Sequence, residues 1–254
     1  MGKLQGQVAI ITGSSSGIGQ ATAKLFAEEG AKVVIAARTS ERLGQIAGQI
    51  SRLGGDCLSI PTDVSSQQQV EQLIQRTLDR YGRIDILINN AGMLPVPTPL
   101  AYMEEIEWDR VFAVNTKGIY WTVRYVWPVM EGQGKGVIIN TASVIAFKGT
   151  PEMAAYCGSK AAVVMLTKAL ALEGAPLGIR VNCVCPGFID TPMNDWLESL
   201  QPDRKEWLKE MHEQIPLQRS GTPLEIARAS LYLASGDSSY MTGQTMILDG
   251  GATA

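Results

Sequence analysis

A single rhythm runs through this chain and limits what it can fold into. Short β-branched and apolar runs alternate with longer segments whose apolar residues recur at helical spacing. The strand-like runs are VAIIT (8–12), KVVIAA (32–37), CLSIPTD (57–63), DILINN (85–90), GVIINTAS (136–143), IRVNCVC (179–185) and TMILDG (245–250). Between them, 17–30, 42–54 and 67–82 read as helices, the last with Val70, Leu73, Ile74 and Leu78 on one face. Longer helical patterns cover 104–130 and 154–175, the second stopped by Pro176. Strands that are almost wholly apolar must be covered on both faces, and joined by helices they predict an α/β fold with a doubly wound, Rossmann-like parallel sheet. No linker, repeat or low-complexity tract interrupts the order, so residues 1–254 read as one domain. Only 188–218 breaks the rhythm: it inserts polar helices where ligands of open α/β sheets sit, and is expected to form a small helical lid over the substrate.

Bulk properties remove several classes of function. With 254 residues, 45% of them apolar, the chain can bury roughly 70–75% of its unfolded surface without disulfide or metal support. A formal charge of -3 offers a phosphate backbone no attraction, so no nucleic acid partner is expected. The amino terminus lacks a secretory apolar core, Gly6 stands where a myristoylation signal wants Ser or Thr, and no apolar run approaches the ~20 residues of a membrane span. The reading is cytoplasmic, with no membrane association. Cys57, Cys157, Cys183 and Cys185 have neither disulfide nor zinc spacing; the last two alternate along a strand and read as packed thiols. His212 is the only histidine, so no His-rich metal site can be assembled, none is expected, and a solvated place on a charged helix is its plainest reading.

Residues 10–19, IITGSSSGIG, fit two chemistries. Gly13-Ser14-Ser15-Ser16-Gly17 matches the G-x-S-x-G elbow of a serine hydrolase, whereas Gly13, Gly17 and Gly19 suit a cradle for a pyrophosphate. The elbow needs an oxyanion-hole loop from an earlier strand, and only one strand precedes Gly13. The cradle needs a strand ending at the loop and a helix starting inside it, and both are present in that order.

The spacing T-G-x-x-x-G-x-G from Thr12 to Gly19 is joined by Asp63, Asn89-Asn90-Ala91-Gly92, Asn115, Ser143, Tyr156-Cys157-Gly158-Ser159-Lys160, Pro186-Gly187, Thr191 and Asp249-Gly250-Gly251. With these residues, over nearly its whole length, the chain resembles the short-chain dehydrogenase/reductase family. The resemblance implies an NAD(P)-binding domain and a hydride transfer between nicotinamide and a carbonyl or secondary alcohol. Tyr156 and Lys160, four apart, share a helical face. A phenol can protonate the carbonyl oxygen as hydride reaches carbon, and a nearby ammonium, helped by an oxidised nicotinamide, is expected to draw its pKa down toward neutrality. Ser143 can hold the substrate oxygen, and by resemblance Asn115 completes a proton relay through water to Lys160.

Cofactor choice is read at the end of the second strand. Ala37 and Arg38 stand where an enzyme preferring NAD usually carries an acid, so NADP(H) is preferred over NAD(H), although Ser16 replaces a second basic residue found in some relatives. The cradle expected from resemblance comprises Gly13, Ser15, Ser16, Gly17, Ile18, Gly19, Arg38, Asp63, Val64, Asn90, Ala91, Gly92, Tyr156, Lys160, Pro186, Gly187, Ile189 and Thr191. Leu94, Pro95, Val144, Ile145, Met153, Phe188 and Trp196 are candidate walls for a small neutral ketone, aldehyde or secondary alcohol, and no arginine is evidently aimed at an anionic substrate. The resemblance also implies a homotetramer with the long helices and the final strand at subunit contacts; Trp121, Tyr125 and Trp127 read equally as interface or core. An NAD(H)-preferring dehydrogenase and a non-catalytic NADPH sensor are the competing readings.

Overall fold

The computed structural model describes residues 2–254. Seven parallel strands, β1 (Val8–Thr12), β2 (Lys32–Ala37), β3 (Cys57–Pro61), β4 (Ile86–Asn89), β5 (Gly136–Thr141), β6 (Ile179–Pro186) and β7 (Thr245–Leu248), lie in the order β3-β2-β1-β4-β5-β6-β7. The chain winds outward from β1 in one direction and from β4 in the other, so their carboxyl ends diverge and open a crevice between them. This is the doubly wound α/β sheet that the alternation predicts.

Two apolar layers cover the sheet, as strands without a polar face require. On one side Ile11, Val33, Ile35 and Ile86 pack with Phe26 of α1 (Gly17–Glu28) and with Leu43 and Ile46 of α2 (Ser40–Arg52). On the other, Ile10, Val34, Leu87 and Ile138 meet Leu73 of α3 (Gln67–Tyr81), Val126 of α5 (Gly118–Gln133) and Val163 of α6 (Ala154–Gly174). Each such side chain, fully buried, contributes about 2 kcal/mol. Cys183 and Cys185 are buried in this second layer with their sulfurs 3.9 Å apart, as the packing reading expects. By length and composition alone, α6 and its following turn would span a bilayer. In the fold, its Tyr156, Ser159, Lys160, Val163 and Thr167 are buried.

Four features depart from the sequence reading. The helical pattern over 104–130 is not one α-helix: α4 (Glu105–Phe112) and α5 are joined by a π-helical turn, Ala113–Lys117, that holds Asn115. The strands expected over 57–63, 136–143 and 245–250 end two residues early, because Asp63 Oδ1 accepts from Ser65 N–H at 2.9 Å, Ser143 caps a 3-10 turn, and Asp249 begins a tight turn. An unanticipated helix, α9 (Pro223–Ala234), packs against α1 and starts at a capping box in which Thr222 and Glu225 bond reciprocally, worth about 1 kcal/mol. Finally, His212 is only partly solvated: it is half-buried, 2.9 Å from Ser220 Oγ and edge-on to Phe188. The polar insertion forms α7 (Pro192–Ser199) and α8 (Arg204–Glu213).

Candidate active site

A cavity of about 980 Å³ opens at the carboxyl ends of the strands, over the crevice between β1 and β4. Gly13 through Ile18, with Ser14 turned inward, form one end. The local backbone explains the glycines. Gly13 has φ +66, and a Cβ there would lie 2.7 Å from Ala91 Cα, so only glycine lets β1 and β4 close at this point. Gly17 has φ +53 and faces Thr191. No side chain caps the amino end of α1 and its first turn holds no acid, which leaves that end positive and open toward the cavity. Asn90 ties the loop down, its Nδ2 donating to the carbonyls of Thr12 at 3.1 Å and Gly13 at 3.2 Å. These residues fit the pyrophosphate of a dinucleotide, since they present a glycine-bent backbone and an uncapped helix amino terminus to the cavity.

Most of the expected cradle faces this cavity: Gly13, Ser15, Ser16, Gly17, Ile18, Arg38, Asp63, Val64, Asn90, Ala91 and Gly92 toward one end, and Tyr156, Lys160, Pro186, Gly187, Ile189 and Thr191 toward the other. Gly19 does not. It is buried behind the loop, where a Cβ would lie 2.6 Å from Asn90 Nδ2, so its glycine serves helix-to-strand packing. Arg42, which the sequence reading omitted, lines the cavity beside Arg38, and neither has a carboxylate within salt-bridge distance among the described residues. The signal was its position four residues beyond Arg38.

At the other end Ser143, Tyr156 and Lys160 converge on the cavity. Lys160 is 4% exposed; its Nζ donates to the Thr141 carbonyl at 2.9 Å and lies 5.7 Å from the centre of the Tyr156 ring. Burial pushes the Lys160 ammonium down to about 8. Burial likewise pushes the Tyr156 phenol up to about 12, with the neighbouring Ser143 hydroxyl pulling it back. The expected drop of the tyrosine toward neutrality is therefore not produced by these protein groups, because desolvation of the phenolate outweighs its stabilisation. Asn115 is buried just outside the cavity. Its Oδ1 accepts from Met93 N–H at 2.8 Å, and its Nδ2 donates to the Met93 carbonyl at 3.0 Å and to Ser159 Oγ at 3.1 Å. These bonds hold the Gly92–Met93 segment beside the lysine, where a Cβ on Gly92 would sit 3.4 Å from Lys160 Nζ.

The walls beyond Tyr156 are largely apolar: Leu94, Val144, Ile145, Met153 and Phe188 line the cavity as expected, joined by Met193, Leu197, Trp207 and Met211 from α7 and α8. Pro95 and Trp196 do not; Pro95 is buried elsewhere and Trp196 is 37% exposed on the outer face of α7. Arg110 and Lys148 also line the cavity, Arg110 paired with Glu107 at 2.5 Å.

Comparison with known proteins agrees with this geometry. The family model described as Enoyl-(Acyl carrier protein) reductase matches residues 13–253. The chain is 41% identical over 249 residues to 3-oxoacyl-[acyl-carrier-protein] reductase FabG of Thermotoga maritima, covering 98% of each. It is 40% identical over 258 residues to oxidoreductase UcpA of Salmonella typhimurium, covering all of this chain and 97% of that one. Among solved structures, a short-chain type dehydrogenase/reductase from Mycobacterium marinum superimposes with a TM-score of 0.93 at 40% identity, over 99% of this chain and 97% of the other.

Proposed function

Since the chain belongs to the short-chain dehydrogenase/reductase family and is an NAD(P)-dependent oxidoreductase acting on carbonyl and hydroxyl groups, we propose that it uses NADP(H) to reduce a small neutral ketone or aldehyde, and to oxidise the corresponding secondary alcohol in reverse. The observation that carries this reading is the convergence of Ser143, Tyr156 and Lys160 at one end of a cavity whose other end is a glycine cradle.

Cofactor preference rests on the end of β2. Arg38 and, in the first turn of α2, Arg42 stand at the cavity with no carboxylate within salt-bridge distance among the described residues, an arrangement suited to a 2′-phosphate. Arg38→Ala should weaken NADPH binding by about 10–100-fold, the loss of a charged hydrogen bond, while NADH binding changes by less than about 3-fold. Equal losses for both would show that Arg38 reads no phosphate.

When bound, the nicotinamide supplies the hydride and, once oxidised, a positive charge; the protein handles the proton. A phenol held near pKa 12 is fully protonated at neutral pH, so Tyr156 carries a proton ready for a carbonyl oxygen. Ser143, two residues beyond β5 at the cap of the 3-10 turn, orients that oxygen. Lys160, anchored on Thr141, supplies a desolvated positive charge beneath the tyrosine ring. Asn115 acts as a positioning residue that clamps the Gly92–Met93 turn; because its side-chain bonds are committed there, the water relay implied by resemblance would run from its main-chain carbonyl. The apolar walls favour an uncharged substrate, and residues 188–218 serve as the lid that shuts water out.

The reading extends to a single catalytic domain over 1–254 and to a homotetramer. Met165 at 64%, Leu172 at 80% and Tyr120 at 50% exposure leave apolar ground on α5 and α6, and Ile247 at 45% does so on edge strand β7. A monomeric mass in solution would remove the tetramer. On this reading the compartment is the cytoplasm, where buried thiols such as Cys183 and Cys185 stay reduced.

The direct test is titration of the protein with NADPH and NADH, followed by tryptophan fluorescence, and then a panel of neutral carbonyls with the tighter cofactor. Tighter NADPH binding with turnover is expected. Tighter NADH binding would overturn the cofactor preference alone; tight binding with no turnover on a broad panel would leave a nucleotide sensor.

A further inference from the structure

The Asp249-Gly250-Gly251 motif has no part in the chemistry above, yet the structure brings both ends of the 188–218 insertion to it. At the entry root, Gly187 N–H donates to the Leu248 carbonyl at 2.9 Å, and a methyl group on Gly187 would lie 2.7 Å from Asp249 Cα. At the exit root, Leu217 N–H donates to the Gly250 carbonyl at 3.1 Å. A methyl group on Gly250 would lie 2.7 Å from Ile215 Cγ2, and one on Gly251 would lie 3.0 Å from Pro216 Cγ. Both glycines have positive φ, +65 and +91, so the turn takes a path that side chains oppose while leaving room for the exit root. Asp249 fastens the turn internally: Oδ1 accepts from Gly251 N–H at 2.9 Å, and Oδ2 from Thr253 N–H at 2.9 Å and Thr253 Oγ1 at 2.6 Å. Thus fastened, the turn brings Ala252 and Thr253 to the cavity beside Gln214 and Ile215.

From this geometry we infer that the Asp249–Thr253 turn is a positioning element for the substrate lid: it seats both lid roots and sets how far α7 and α8 stand from Tyr156. The physical reason is leverage. The two roots that meet the turn are also tied to each other by the Ile189–Gly221 bridge. A shift of a few tenths of an ångström at Ile215 is carried by the short, stiff α8 to Trp207 and Met211, which line the substrate end. The pyrophosphate loop meets the lid at Thr191, on the entry root, whereas this shift enters at Ile215 on the exit root. This inference rests on the lid reading of 188–218.

The test is Gly250→Ala, in which the added methyl meets Ile215 and the backbone opposes the side chain, with Asp249→Asn as a milder second variant that loosens the turn without adding bulk. Hydrogen exchange, the carbonyl KM and the NADPH dissociation constant are measured together. Expected are faster exchange of the amides in 192–213 with those of β1, β4 and β5 unchanged, a KM raised about 10-fold, and NADPH affinity altered by less than about 2-fold. Unchanged exchange in 192–213 in both variants would overturn the inference, as would acceleration spread evenly over the whole chain in the milder one. Faster local exchange with an unmoved KM would leave the turn gripping the insertion and overturn the lid reading instead.

Discussion

Tyr156→Phe should lower kcat by about 10³-fold and leave the NADPH dissociation constant within about 2-fold of its starting value. The substitution removes one hydroxyl and keeps the ring, which is 9% exposed and packed in place, so the surrounding fold has no reason to move. The proton donor is what disappears. Because burial holds the phenol near pKa 12, essentially every molecule carries the proton at pH 7, and the loss falls on the transfer step rather than on binding. Single-turnover reduction, measured beside equilibrium cofactor binding, separates the two. A variant that turns over near the original rate would pass the donor role to Ser143 or to water and dismantle the assignment of Tyr156.

Why this site was largely legible in the sequence, and where it was not, has a physical pattern. The strands were readable because burial on both faces forces near-continuous apolar runs, and the glycine loop because its backbone paths exclude other residues, as Gly13 shows against Ala91. Local signals failed where tertiary contacts decide. The π-helical turn is accompanied by bonds from Asn115 to Met93 and Ser159, far away in sequence, which no helical period reveals. Helix α9 has Ile226, Ala227, Ala229, Ser230, Leu231 and Leu233 buried on several faces, so its pattern lacks the polar stripe that marks an amphipathic helix; the capping box at Thr222 was its clearest signal. His212 sits on a charged helix yet meets Ser220 from the following loop. The tyrosine pKa depends on how dry the folded site is, a property no motif carries.

That dryness yields the second large effect, at Lys160. Lys160→Met should cut kcat by at least about 10²-fold, and it should also change how stability responds to pH. In the unliganded protein the lysine's pKa falls from 10.5 to about 8 on folding. Below pH 8 both folded and unfolded chains hold the proton, and the folded state bears the cost of a buried charge. Between pH 8 and 10.5 the folded chain has released it while the unfolded chain keeps it, so the unfolded state binds more protons and stability rises with pH, by up to about 3 kcal/mol from this group. Tyr156 acts oppositely and higher: its pKa is raised from 10 to about 12, so above pH 10 the unfolded chain loses its proton first and stability falls. Methionine removes the rise and keeps the fall. It also leaves the Thr141 carbonyl without its donor, a cost that is the same at every pH and cancels when two pH values are compared. Denaturant unfolding of both proteins without cofactor at pH 7 and pH 9.5 should therefore show the original chain gaining on the variant by about 2 kcal/mol as pH rises. Equal gaps at the two pH values would mean that Lys160 keeps its proton throughout, and that the site is wetter than its burial indicates.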